Sequence, residues 1–172
     1  MSGGLDLSRL SPLDAVAALR SYPRRFRGLL TSLDEDERAD DVVHRPGPDG
    51  RSAVDHADHV ARSMAILGEA LRQVLVHDKP TLLPAVADDA AREWQMASQP
   101  SSVQAALDFL DVECNAMADL IERTPADAWT RTGTVAGSGR TMSALEIVRE
   151  AVRTGSDHLR AAERAFEAGK GG

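Results

Sequence analysis

Four amphipathic helical stretches, each carrying one apolar stripe and separated by segments rich in Pro, Gly, Asp and Thr, constrain this 172-residue chain more than any other feature. The first opens at Ser11-Pro12-Leu13-Asp14, a capping pattern with proline at the first helical position, and is expected to run to about Leu33 with a kink at Pro23. The second begins at Ser52-Ala53-Val54-Asp55, again a capping box. Its stripe of Ala53, Ala57, Val60, Met64, Leu67, Leu71 and Val74 steps by three and four and ends near His77. The third starts after Pro100 and carries Val103, Leu107, Leu110, Cys114, Met117 and Ile121 up to Thr124-Pro125. The fourth follows the turn-rich segment Arg131 to Arg140 and carries Met142, Leu145, Val148, Val152, Gly155, Leu159 and Phe166. Strand-type alternation is nowhere sustained. Four single-striped helices satisfy one another by closing into a bundle, so the fold class is all-α and residues 1–172 form one domain.

The connections decide the topology. Asp34 to Arg51, with Pro46-Gly47-Pro48-Asp49-Gly50, cannot continue a helix. Asp78 to Pro100 is long enough to traverse the bundle and has room for a short helix around Asp88 to Met96. That length lets helices two and three run parallel while helix four returns against both, an up-down-down-up arrangement.

Composition narrows the function. A net charge of −7 and scattered arginines argue against nucleic-acid binding. Cys114 is the only cysteine, which forbids an intrachain disulfide and a cysteine-rich zinc cluster and suits a reducing cytoplasm. It falls within the third stripe and reads as a small buried hydrophobe. No apolar run is long enough to span a bilayer, so no membrane partner is expected. A chain of this size builds its core without staples, so a metal would serve function rather than folding.

The histidines carry most of what chemistry can be read. His44 and His77 lie in or beside loops and read as solvated. Asp55, His59 and Ser63 share one face of helix two, and Glu150, Thr154 and His158 share one face of helix four. At about 1.5 Å rise per residue, His59 lies roughly 10 Å from the start of its helix and His158 about 15 Å from the end of its own. Antiparallel helices bring these imidazoles to one level; parallel helices would separate them by roughly 14 Å. Such strips suit an internal site, and they also describe ordinary hydrogen-bonded helix edges. Gly155 on the fourth stripe marks either a tight helix contact or a pocket. Ser138 follows no strand and is no nucleophile elbow, and Gly133 to Gly139 lacks the lysine of a phosphate loop. Trp94 and Trp129 flank helix boundaries and are expected to seal core ends.

Several segments together resemble the DinB-like superfamily of four-helix-bundle metalloenzymes. They are Gly50-Arg51-Ser52 with His59 seven residues after the serine, Ala128-Trp129-Thr130-Arg131, Gly139-Arg140-Thr141-Met142, and Asp157-His158-Leu159. The resemblance covers nearly the whole chain. It implies a divalent metal, nickel or zinc, held at the positions of His59, Thr154 and His158. Thr154 departs from the pattern, because a neutral hydroxyl is a poor ligand for such a metal. The site therefore reads as incomplete, with metal weakly bound or absent. Asp55 stands one turn before His59 as an orienting group or substitute ligand, and His56 is the other nearby candidate.

The resemblance implies thiol-dependent transfer or isomerisation on a small-molecule substrate, using mycothiol or bacillithiol. The alternative is a noncatalytic bundle that binds a small apolar ligand or acts through homodimerisation. Self-association is expected on either reading, and salt should favour it slightly by screening the acidic surface. Sedimentation at micromolar concentration checks this, with a pure monomer as the contrary result.

Overall fold

In a computed structural model, which describes residues 6–33, 35–94 and 101–171, four long helices pack into one bundle. They are α1 (Pro12–Leu30), α3 (Ala53–Val76), α4 (Val103–Arg123) and α5 (Ala144–Lys170), with a short α2 (Ala39–His44) between the first two. The start signals act as the spacing predicts. Ser11 and Ser52 accept the backbone N–H of Asp14 and Asp55, whose carboxylates accept the serine N–H in return. Ser102 and Ser143 cap α4 and α5 through Ala105 and Glu146. Helix α1 holds Pro23 in its interior and stops at Leu30, short of Leu33, with Thr31 as its C-cap.

Side-chain contacts fix the directions. The start of α4 sits against the start of α3, where Ser101 donates to Asp58 at 3.0 Å. Further along, Gly68 faces Met117. Helices α3 and α4 are therefore parallel. Helix α5 opposes them, with His56 near the beginning of α3 meeting His158 in the second half of α5. Leu10 and Tyr22 meet Arg149 and the Val152–Ser156 turn in the same order, so α1 runs with α5. The order is up-down-down-up.

Two connections differ from the sequence reading. The segment from Arg131 to Ser143 is a hairpin, β2 (Thr132–Val135) and β3 (Thr141–Ser143), so Met142 lies on a strand and not on the fourth helix, and β1 (Thr81–Leu82) pairs in parallel with β2. Strands this short carry no readable alternation. The sheet lies where α3 ends and α5 begins, and Arg131 joins them by donating to Val74 O at 2.9 Å and His77 O at 3.0 Å. That is a cation on the orphan carbonyls of a helix C-terminus. Beyond β1 the chain doubles back along α3. Leu83 and Val86 lie by Ile66 and Gln73, and Ala85 and Arg92 by Arg62. The short helix expected from Asp88 is a single 3-10 turn, Asp89–Ala91, and the remainder of that expectation beyond Trp94 lies outside the described residues. His44 also differs from its reading: it is half-buried and contacts Ser101 O at 3.0 Å, tying α2 to α4.

The core is built on the predicted stripes, with Leu19, Tyr22, Phe26, Met64, Leu67, Leu107 and Leu110 buried, while Leu145 of the fourth stripe is only half-buried. Cys114 is buried among them, and burial pushes its thiol up to about 12. Gly155 marks a tight helix contact: a Cβ there would lie 2.2 Å from the Tyr22 ring. The ring cannot swing freely, because its hydroxyl donates to Val152 O at 2.9 Å. Gly155→Ala should destabilise by about 1–3 kcal/mol despite alanine's better helix propensity. Leu107→Ala and Leu159→Ala should each cost about 2–5 kcal/mol in denaturant unfolding.

Candidate metal centre

Three chain segments converge near the first turns of α3. Helix α3 brings His56 and His59, α5 brings Thr154 and His158, and the returning connection brings Asp89, Arg92 and Trp94. His59 Nε2 lies 3.1 Å from Asp89 Oδ1, and His158 Nε2 lies 3.1 Å from each Asp89 oxygen. The two ring nitrogens and the carboxylate are mutually within 4.8 Å, a spacing that can hold a metal ion. Trp94 stacks on His59 with ring centroids 3.7 Å apart and planes 6° from parallel, and Arg51 lies 4.6 Å above the indole. A cavity of about 300 Å³ opens beside these groups, with Glu150, Arg153 and Asp157 on its wall.

The sequence candidates separate clearly. His59 and His158 meet at Asp89. His56 also belongs to the cluster, its Nδ1 2.9 Å from His158 Nδ1. Asp55 is engaged as the capping residue of α3, its carboxylate accepting Ser52 N–H at 2.9 Å. Thr154 is buried and its hydroxyl accepts from Arg92 Nη1 at 2.9 Å. Trp94 covers the site rather than sealing a core end, while Trp129 packs against the core.

Arg92 explains Thr154. Its side chain has no exposed surface, and its five N–H donors have five acceptors: Ala85 O, Val86 O, Asp89, Thr154 and Glu150. A guanidinium beside position 154 needs an acceptor there, which the Thr154 hydroxyl supplies, and the same segment delivers a carboxylate three residues earlier. The carboxylate that completes the cluster with His59 and His158 therefore comes from the connection instead of α5. Asp89, Arg92 and Trp94 escape sequence reading because no periodicity places an irregular segment. The usable signal is length, since a connection of more than about 12–15 residues with little structure of its own is usually functional.

Electrostatics follow from this packing. Burial alone would raise the Asp89 carboxyl, but hydrogen bonds from His158 and His59 outweigh it and hold the group well below the ordinary carboxylate range. Burial and the neighbouring His158 push His56 down to about 4 against the pull of Asp49. Burial likewise lowers His59, opposed by Asp89. Burial raises Glu150, opposed by Arg92 and Arg153. Four buried atoms have no hydrogen-bond partner among the described residues: His56 Nε2, His59 Nδ1 and Ser63 Oγ at the site, and Arg149 Nε on α5.

The family model of the DinB superfamily matches residues 18–162, so this chain belongs to that superfamily. Among solved structures it resembles YfiT from Bacillus subtilis, described as a probable metal-dependent hydrolase with an unusual four-helix bundle topology. The TM-score is 0.75 at 13% identity, covering 93% of this chain and 88% of that one. At that identity the likeness shows the fold. No curated protein matches the sequence. No helix among the described residues is long and apolar enough to cross a membrane.

Protonation couples to stability here. The folded state holds His56 below the ordinary 6.5, so between pH 6.5 and about 4 the unfolded chain binds more protons. Stability should be complete above pH 6.5 and fall as pH drops towards 4, by roughly 2–3 kcal/mol from this group. Loss should continue below that as the depressed Asp89 is protonated. Denaturant unfolding against pH checks this, and His56→Asn should flatten the upper part of the slope.

Proposed function

We propose that this protein is a metal-dependent enzyme acting on a small molecule, with His59, Asp89 and His158 as the protein ligands of a divalent transition metal, zinc or nickel. The observation that carries this reading is the convergence of two imidazole Nε2 atoms on one carboxylate at 3.1 Å beside an open cavity. Donors on a common ion at about 2.0–2.2 Å stand a little over 3 Å apart, so the set fits with little rearrangement. Two histidines and a carboxylate suit zinc or nickel and leave positions for a substrate or nucleophile. An ion held there acts as a Lewis acid and lowers the pKa of a nucleophile bound to it.

The chain's own groups supply the remainder. Trp94 covers the His59 face and excludes water from it. Arg92 holds Asp89 in place through one of its five bonds. Glu150, on the cavity wall with a raised pKa, can take up a proton at its carboxylate. A base of that kind favours water as the nucleophile and hence hydrolysis, the activity in YfiT's description. Thiol-dependent transfer or isomerisation with mycothiol or bacillithiol is the second reading. On that reading the thiol arrives with the reactants, because Cys114, the only cysteine, is buried in the core. Cytoplasmic location and self-association belong to the same reading.

Metal analysis after purification without chelator should find about one zinc or nickel per chain. In calorimetric titration, Asp89→Ala should weaken binding by at least about tenfold to a hundredfold. Zinc-loaded protein assayed on small esters and amides, with and without a low-molecular-weight thiol, separates hydrolysis from transfer. Absence of metal uptake would favour the noncatalytic bundle.

A further inference from the structure

Three polar contacts stand in a row across the cleft. Asp89 faces His158 Nε2 at 3.1 Å, His158 Nδ1 faces His56 Nδ1 at 2.9 Å, and His56 Nε2 lies 2.8 Å from Asp49 Oδ2. Stripped of protons, every atom in these contacts presents a lone pair to its partner, so each contact needs a proton or another cation between its atoms. Two neutral imidazoles bring two protons for three contacts, leaving one contact short. In this structure the short one is at Asp49, where His56 Nε2 has the distance of a hydrogen bond but not its alignment.

We propose that Asp49 and His56 are positioning residues that set the tautomer of His158 for metal binding. With a metal ion between Asp89 and His158, two protons suffice. His158 donates Nδ1–H to His56 Nδ1, His56 donates Nε2–H to Asp49, and the Nε2 lone pair of His158 is left for the ion. The inference rests on the metal reading of the site. Metal-bound histidine usually donates its second ring N–H to an acceptor. Here that acceptor is a second imidazole, backed by a carboxylate.

The loop before α3 is built to present that carboxylate. Gly47 packs so closely on α5 that a Cβ would lie 2.6 Å from Ala165 Cα. Gly50 donates to Gly47 O at 3.0 Å and closes the turn. Asp49 Oδ1 accepts Arg51 N–H at 2.9 Å, which leaves Oδ2 for His56. His56 itself is only 1% exposed, so solvent has little access to compete for its ring nitrogens. Trp94 closes over it edge-on, with ring centroids 5.4 Å apart. A small rotation of the half-exposed Asp49 side chain completes the third bond.

Nitrogen-15 NMR of the histidine rings in the zinc-loaded full chain tests this directly. The expected result is His158 protonated at Nδ1 and His56 at Nε2. In zinc titrations His56→Leu should bind about ten to a hundred times more weakly than the unchanged chain. His56→Asn, whose amide oxygen can replace the Nδ1 acceptor, should recover most of that loss. Zinc-loaded protein with His56 protonated at Nδ1 would overturn the inference, and this readout decides even if His56→Leu fails to fold. So would unchanged affinity in folded His56→Leu while Asp89→Ala binds weakly, a result that leaves the metal reading standing. No zinc uptake by the unchanged chain would overturn both.

Discussion

The buried guanidinium of Arg92 is the interaction on which the site depends. Burying a charge in a bundle is expensive unless every donor is met. Here five acceptors from the connection and from α5 meet five donors. The bonds to Ala85 and Val86 fold the connection on itself, and those to Thr154 and Glu150 fasten it to α5. Asp89 is thereby held in front of two imidazoles that helix packing has already brought to one level. Removing the guanidinium would leave the buried Thr154 hydroxyl and Val86 carbonyl without this donor and would release the segment that carries Asp89.

The rigid part of this arrangement is set elsewhere. Gly155 lets α1 approach α5 through Tyr22, and Arg131 fastens the end of α3 to the strands that lead into α5. The first seats α1 on α5, and the second ties the end of α3 to the start of α5. His59 and His158 therefore meet because of how their helices are joined and packed, Gly155 lying one turn before His158 on α5. The sheet matters for the same reason: it fixes where the connection begins its return, and so which of its residues reaches the first turns of α3.

What could be read from the sequence divides along the same line. Helix starts, stripes and bundle direction were legible because they follow from repeats of three and four and from capping serines. The meeting of His59 with His158 followed from helix arithmetic. Thr154 could be seen to break the ligand pattern, but its reason could not, because that reason is Arg92 on a segment with no period. Asp89 was hidden for the same cause. Asp55 and His56 illustrate the limit of proximity along a helix: Asp55 is used up by its own helix end, whereas His56, one residue on, faces into the cleft. The strands were too short to leave a pattern.

The origin of the Asp89 carboxylate has a consequence for how such a site can change over time. A ligand on α5 is locked to helix packing, and replacing it disturbs the core. Asp89 belongs instead to a single 3-10 turn in a connection whose length and composition can drift while the helices stay as they are. On the metal reading, selection could retune which ion is preferred, or discard it, by editing a few residues around Asp89. A carboxylate so placed can be exchanged without replacing a residue of the helical core, while its bonds to His59 and His158 still link the cleft to the stability of the bundle.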